Sequence, residues 1–223
     1  RVYLAQCDEH HVVCLSADDG EKVWEFAAEG RIDSPPTYYR GRVLFGSRDG
    51  WLYSLDAARG ELVWRFHVAP TQRWIGPFDQ LESAWPVHGS VLVQDGVAYC
   101  AAGRSSQLDG GLTLVGLDVE NGQLRYNTPL EGPRYTVANV EENYQLPMGA
   151  LPDVLVGDGK QIYMRSLAFD MQLRPVKGQP ELRVDGGYLE DSYFKRTPWT
   201  FEKQYARLIV YDQTSAYYVR MFD

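Results

Sequence analysis

Cysteine is scarce in this chain, with three in 223 residues (Cys7, Cys14 and Cys100), and that excludes a disulfide framework. Positive charge is also short: 22 Lys and Arg stand against 30 Asp and Glu, a formal net charge of −8. The balance argues against nucleic acid and anionic membrane surfaces as partners. No apolar run reaches about eighteen residues, so no transmembrane helix is expected. No basic-then-apolar leader precedes the first strand-like run, and the chain is expected to be an internal piece of a longer protein. What is plentiful is Gly (21), Tyr (15) and Trp (6). Gly suits tight turns, while Tyr and Trp suit half-buried pleated surfaces, so the composition points to an all-β chain.

One stretch is written twice. Cys14-Leu15-Ser16-Ala17-Asp18-Asp19-Gly20-Glu21-Lys22-Val23-Trp24 returns, 40 residues on, as Ser54-Leu55-Asp56-Ala57-Ala58-Arg59-Gly60-Glu61-Leu62-Val63-Trp64. A period of this length with strand signals marks the blades of a β-propeller, each a four-stranded antiparallel sheet. Trp51, Tyr53 and Leu55 alternate with Leu52 and Ser54, as a strand with two distinct faces requires. Gly20 and Gly60 stand where a turn needs positive φ, and Trp24 and Trp64 follow four residues later as blade-docking residues. Asp49-Gly50 reads as a two-residue hairpin turn between Val43–Arg48 and Trp51–Asp56. That register, transferred to the first copy, sets Cys7 opposite Val12 and Cys14 opposite Ala5, a diagonal that favours free thiols.

A third copy, Gly116-Leu117-Asp118-Val119-Glu120-Asn121-Gly122-Gln123-Leu124-Arg125-Tyr126, carries Tyr126 in the Trp position after Gly122. Tyr126 lies 62 residues beyond Trp64, which implies about 22 inserted residues, mainly in Pro70–Trp85 and Gly103–Gly111. Val87–Val93 and Val97–Ala101 keep strand character around Asp95-Gly96. The expected organisation is regular blades over 1–69, an insertion-bearing blade over 70–130, and degenerate blades over 131–223. Hairpins are expected around Gly157–Gly159 and Asp212–Ser215, with a long aromatic-rich insertion at about 173–205. Four to five blades result, the arc of a larger ring.

The run Gly41-Arg42-Val43-Leu44-Phe45-Gly46-Ser47-Arg48-Asp49-Gly50-Trp51-Leu52-Tyr53-Ser54-Leu55-Asp56, with Gly60 and Trp64, resembles the pyrroloquinoline-quinone (PQQ)-type propeller repeat and its tryptophan-docking signature. Asp19, Arg59 and Asn121 depart from the Thr of that signature, and Ser16 from its Asp. Gln80–Gly89 and Leu151–Val156 resemble long bacterial, often planctomycetal, members. The resemblance implies a periplasmic or extracellular bacterial protein. It also implies either a quinoprotein oxidoreductase that binds PQQ with Ca²⁺, or a cofactor-free scaffold like the outer-membrane assembly propeller of the BamB type. The adjacent Cys-Cys pair of the quinoprotein dehydrogenases does not occur in this sequence.

Propeller function resides in loops at the blade ends. The two insertions offer Arg73, Trp74, Gln80, Glu82, Trp85, His88, Arg104, Ser105, Ser106 and Asp109, a set able to grip a sugar or an anionic small molecule. The plainer alternative pairs Glu82 with Arg104 and has the Trp residues seal a blade. Asp79 with Glu82 is a weaker acid/base candidate, and Glu82 with Asp109 a carbohydrate-active one. No metal site is expected: His10-His11 and Asp18-Asp19-Gly20 read as turns. Tyr188, Tyr193, Phe194, Trp199 and Phe201 beside Lys195 and Arg196 form an aromatic cluster, read as packing of the long insertion. No catalytic residue is assigned. The expected function is a non-catalytic propeller that binds a protein partner, the rest of its own ring, or a carbohydrate, with no cofactor in this chain.

Overall fold

The computed structural model of the chain describes residues 1–77, 80–132, 154–164, 167–176 and four two-residue strand segments further on. The described residues hold antiparallel strands and no α-helix. The first sheet is β1 (Val2–Gln6), β2 (His11–Leu15) and β3 (Lys22–Ala27). The second is β4 (Thr37–Tyr39), β5 (Arg42–Gly46), β6 (Trp51–Asp56) and β7 (Leu62–His67). A small hairpin follows, β8 (Trp74–Ile75) with β9 (Glu82–Ser83). The third sheet is β10 (Leu92–Gln94), β11 (Val97–Ala102), β12 (Leu112–Asp118) and β13 (Leu124–Leu130). The fourth is β14 (Leu155–Gly157), β15 (Gln161–Met164) and β16 (Leu167–Asp170). Beyond it, β17 (Leu182–Arg183) pairs with β18 (Thr200–Phe201), and β19 (Tyr211–Asp212) with β20 (Ser215–Ala216).

The strand period decides how the sheets stack, because alternate residues serve opposite faces. Val43, Phe45, Tyr53 and Leu55 of the second sheet join Val12, Cys14 and Trp24 of the first in one core. Leu44, Leu52 and Trp64 join Ala98, Cys100 and Ala102 of the third in the next. Val97, Tyr99 and Ala101 then turn toward Ile162, Met164 and Phe169 of the fourth. Each middle sheet is apolar on both faces, and β4, β10 and β14, the first strands of their sheets, adjoin. This is the stacking of propeller blades.

The turns before the last strand of each of the first three sheets lock one blade to the next. Gly20, Gly60 and Gly122 take φ of +78°, +73° and +71°, and each donates its N–H four residues back, to Ser16, Asp56 and Asp118 O. The Trp24 ring lies on Gly60, where a Cβ would stand 2.6 Å from Cδ2, and its Nε1–H donates to Ala57 O at 3.2 Å. Trp64 repeats this on Gly122 and Val119 O, the latter at 3.0 Å. A β-bulge before each ring aims it: the register shifts so that Val23, Val63 and Arg125 are the extra residues. Tyr126 lies against Gly116 of its own sheet rather than on a glycine of the next blade's turn. It packs instead into the cluster that buries Leu173, and Leu173 takes the turn position at φ 61°.

Several sequence expectations change here. The loop after β5 is Ser47–Gly50, with Ser47 N–H donating to Trp51 O, rather than a two-residue turn. Asp49 is held inside it by burial and by the Trp51 N–H and Tyr53 O–H it accepts, at 2.9 and 2.6 Å. Asp95-Gly96, the same dipeptide, does form the two-residue turn, with φ of 50° and 75°. In the first copy Cys7 lies in the loop and Cys14 faces Tyr3, not Ala5; the longer loop slides the register. All three thiols are outside any disulfide. The third blade's first strand begins at Leu92, so Val87–Val91 is connector. Leu173–Val176 belongs to the fourth sheet rather than to an excursion: Pro175 bridges Phe169 and Val176 N–H donates to Ala168 O. Tyr188, Tyr193, Phe194 and Trp199 of the aromatic cluster, and Asp79, lie outside the described residues, while Phe201 is in β18.

Candidate functional site on the loop rim

Antiparallel alternation sorts the connections between two rims. The docking turns lie at one end of the strands. The β1–β2, β5–β6 and β11–β12 loops and the blade-to-blade connectors fall at the other. Residues 7–10, 28–36, 47–50, 68–91 and 103–111 therefore share a rim. Backbone hydrogen bonds stitch them together: Arg48 N to Arg31 O at 2.9 Å, Ser83 N to Arg48 O at 2.7 Å, Val87 N to Ser47 O and Gly103 N to Pro86 O, both at 3.0 Å.

Charge follows the same path. Arg31 donates to Asp8 at 2.8 Å and to Asp33 at 2.7 Å; Arg48 donates to the other Asp33 oxygen at 2.5 Å and to Glu82 at 2.7 Å. The Asp33 and Glu82 side chains are 2% and 6% exposed, so both carboxylates depend on these guanidinium partners. His88 is buried beside this chain, and burial, opposed by the Asp33 charge, pushes its pKa down to about 4. The imidazole is neutral at pH 7.

A second knot ties the two insertions. Asp109, at φ 55°, accepts from Arg73 at 3.0 Å and from Arg104. Arg104 Nε is buried and has no partner. The expected Glu82–Arg104 pair does not form: Glu82 meets Arg48, and Arg104 meets Asp109. Ser105 Oγ accepts the Gln107 N–H at 3.2 Å. Trp85 is 8% exposed and part of the core between the second and third sheets, so it offers no stacking face to a sugar. Of the candidates, Arg73, Arg104, Ser105 and Asp109 lie at or near solvent, while Glu82, Trp85 and His88 are buried. The insertions also hold apolar side chains outward: Trp74, Leu81 and Leu108 are 45%, 66% and 48% exposed.

Sequence reasoning missed Asp8, Arg31, Asp33 and Arg48 as a linked set. Asp8 and Arg48 stand 40 residues apart, at the same place in two blades, but they carry opposite charge, and only the Ser47-Arg48-Asp49-Gly50 loop motif marks one of the four. Both carboxylates suggested for chemistry, Glu82 and Asp109, are engaged by Arg, which suits a fixed scaffold better than proton transfer. Among the described residues no group of three His, Cys, Asp or Glu is placed to hold a metal ion. No helix among them is long and apolar enough to cross a membrane.

Comparison with known proteins agrees with this architecture. The chain is 27% identical over 150 residues to the dehydrogenase subunit of the quinone alcohol dehydrogenase of Gluconobacter oxydans, covering 62% of this chain and 18% of that subunit. The equivalent subunit of Acetobacter aceti is 26% identical over 136 residues, covering 56% and 17%. The chain thus spans less than a fifth of the length of these curated relatives. The crystal structure of Saccharomyces cerevisiae Sqt1 shares the fold at a TM-score of 0.53 and 10% identity, covering 78% of this chain and 43% of that one. The PQQ-type repeat family described as "Outer membrane protein assembly factor BamB" matches residues 1–172, and with its blades, docking tryptophans and loop rim the chain belongs to that family.

Proposed function

We propose that this propeller is a protein-binding scaffold of an exported bacterial protein, working in the periplasm or outside the cell through its loop rim. One observation carries the reading: the third-blade insertions are pinned by the Arg73–Asp109–Arg104 and Arg48–Glu82 contacts while Trp74, Leu81 and Leu108 face solvent. Rigid, exposed apolar side chains ringed by charge are what a protein interface uses. The description of the family as an outer membrane assembly factor supports both the partner class and the compartment. The test is site-specific photo-crosslinking in the full-length protein in its native cells. Crosslinkers at Leu81 and Leu108 should give a discrete protein adduct. Crosslinkers at Leu62 and Leu124, exposed beside the docking turns, should give none. Equal adducts from both rims, or none from the loop rim, would remove the proposal.

A second reading rests on the curated relatives: the chain as part of a quinone-dependent alcohol dehydrogenase. The described residues do not by themselves fit PQQ with Ca²⁺. They contain no adjacent cysteine pair and no cluster of three metal-binding side chains. Residues beyond them would have to supply the site. Alcohol-dependent dye reduction by full-length protein reconstituted with PQQ and Ca²⁺ tests this reading. A carbohydrate ligand loses its main support with the burial of Trp85.

A further inference from the structure

We infer that the loop rim takes an extended, acidic and apolar peptide segment of its partner, gripped by Arg73 and Arg104 and seated on Trp74 and Leu108; this rests on the scaffold reading. The charge arithmetic is local. The chain is acidic overall, at −8, yet here two guanidinium groups share the single carboxylate of Asp109. Arg73 is more than half exposed, and Arg104 keeps a buried Nε–H with no acceptor. The Arg73 guanidinium is open to solvent, and its planar fork matches an incoming carboxylate bidentately. Trp74 adjoins Arg73 in sequence and Leu108 adjoins Asp109, so the Arg73–Asp109 contact brings together the two backbone segments that carry these exposed apolar residues. Among the described residues the joined segments thus carry exposed apolar side chains and two guanidinium groups to one carboxylate, on a negative protein. A basic partner would be drawn to the remaining surface and repelled from this spot.

The β8–β9 hairpin explains why the patch is preformed. Trp74 pairs with Ser83 and Ile75 with Glu82. Ser83 N–H donates to Arg48 O, and the Ala84 N–H to Arg73 O at 2.8 Å. Arg73 is thus tied by its carbonyl to the rim and by its side chain to the other insertion. Little ordering cost remains for binding.

Fluorescence anisotropy tests this with the full chain and two labelled peptides, one alternating Glu with Leu and Trp, the other carrying Lys in place of each Glu. The acidic peptide should bind at least about tenfold more tightly, and added salt should shrink that preference. Arg73→Glu should reverse the preference, and Trp74→Ser should weaken both peptides without changing it. If Arg73→Glu loses its cooperative melt, Arg73→Gln serves, with the preference reduced instead of reversed. Equal binding of the two peptides, an unchanged preference in the Arg73 variants, or no binding to the folded chain would each overturn the inference. Crosslinked adducts from Leu81 and Leu108 would persist in that case, and the scaffold reading would stand without it.

Discussion

The two rims of this propeller are built from different physics. On the docking rim the same device occurs twice in full: a glycine at positive φ, a bulge, and an indole stacked on the next blade's turn. On the loop rim the backbone repeats only in the first two blades, where His10 and Gly50 each donate three residues back and accept from Ala28 and Val68 N–H, and the charged side chains do not repeat. Five charged side chains from four loops, Asp8, Arg31, Asp33, Arg48 and Glu82, form one alternating chain across three blades. The first rim uses backbone conformation and apolar contact, which a repeat can copy. The second uses pairings each specific to its position, and it is the rim where the insertions fall. Regularity holds the blades together; irregularity gives the ring something particular to present.

The largest way to break the comparison is Arg48→Met. It strips one partner from two buried carboxylates, Asp33 and Glu82, and should cost about 3–5 kcal/mol in denaturant unfolding at pH 7. The docking rim should fail by a different route. In Gly60→Ala the new methyl meets the Trp24 ring at 2.6 Å and must hold φ +73°, for a loss of about 3 kcal/mol. Gly20→Ala isolates the conformational part. Nothing lies within 4 Å of its Cβ position, so only about 1 kcal/mol should be lost. Equal costs at Gly20 and Gly60 would remove the stacking contribution from the account.

Acid should probe the loop rim selectively. The folded pKa of His88, about 4, lies below the ordinary value of 6.5, so the unfolded chain binds a proton that the folded chain refuses. Stability from this group is complete above about pH 6.5 and falls as pH drops toward 4, by about 3 kcal/mol at most. His88→Asn should flatten that part of the stability–pH curve. The smallest effect belongs to Lys22→Ala. Its pair with Glu25, at 2.6 Å, is solvent-exposed, and the melting midpoint should not move measurably.

The same dipeptide shows why part of the fold was legible and part was not. Asp95-Gly96 makes the two-residue turn that its sequence announces, because the flanking strands pair right up to it. Asp49-Gly50 does not. There the carboxylate is drawn into the blade by Tyr53 O–H, and a neighbouring connector takes the loop's backbone groups. Likewise Trp24 and Trp64 were readable as docking residues, whereas Trp85 read either as a ligand contact or as a blade seal, and only its burial decides for the second. The insertions' borders were visible as breaks in the period. Their partners were not, and the Glu82–Arg104 pairing gave way to Glu82–Arg48 and Arg104–Asp109.

By itself the sequence determined the blades. The two-residue alternation of apolar side chains, the 40-residue period and the glycine turns are local rules, satisfied wherever the residues recur. Only the tertiary structure decided which charges meet on the loop rim. Ion pairing depends on distance in space, and residues as far apart as Asp8 and Glu82 are joined through one chain because the connectors fold across the same end of the ring. No sequence period encodes that path.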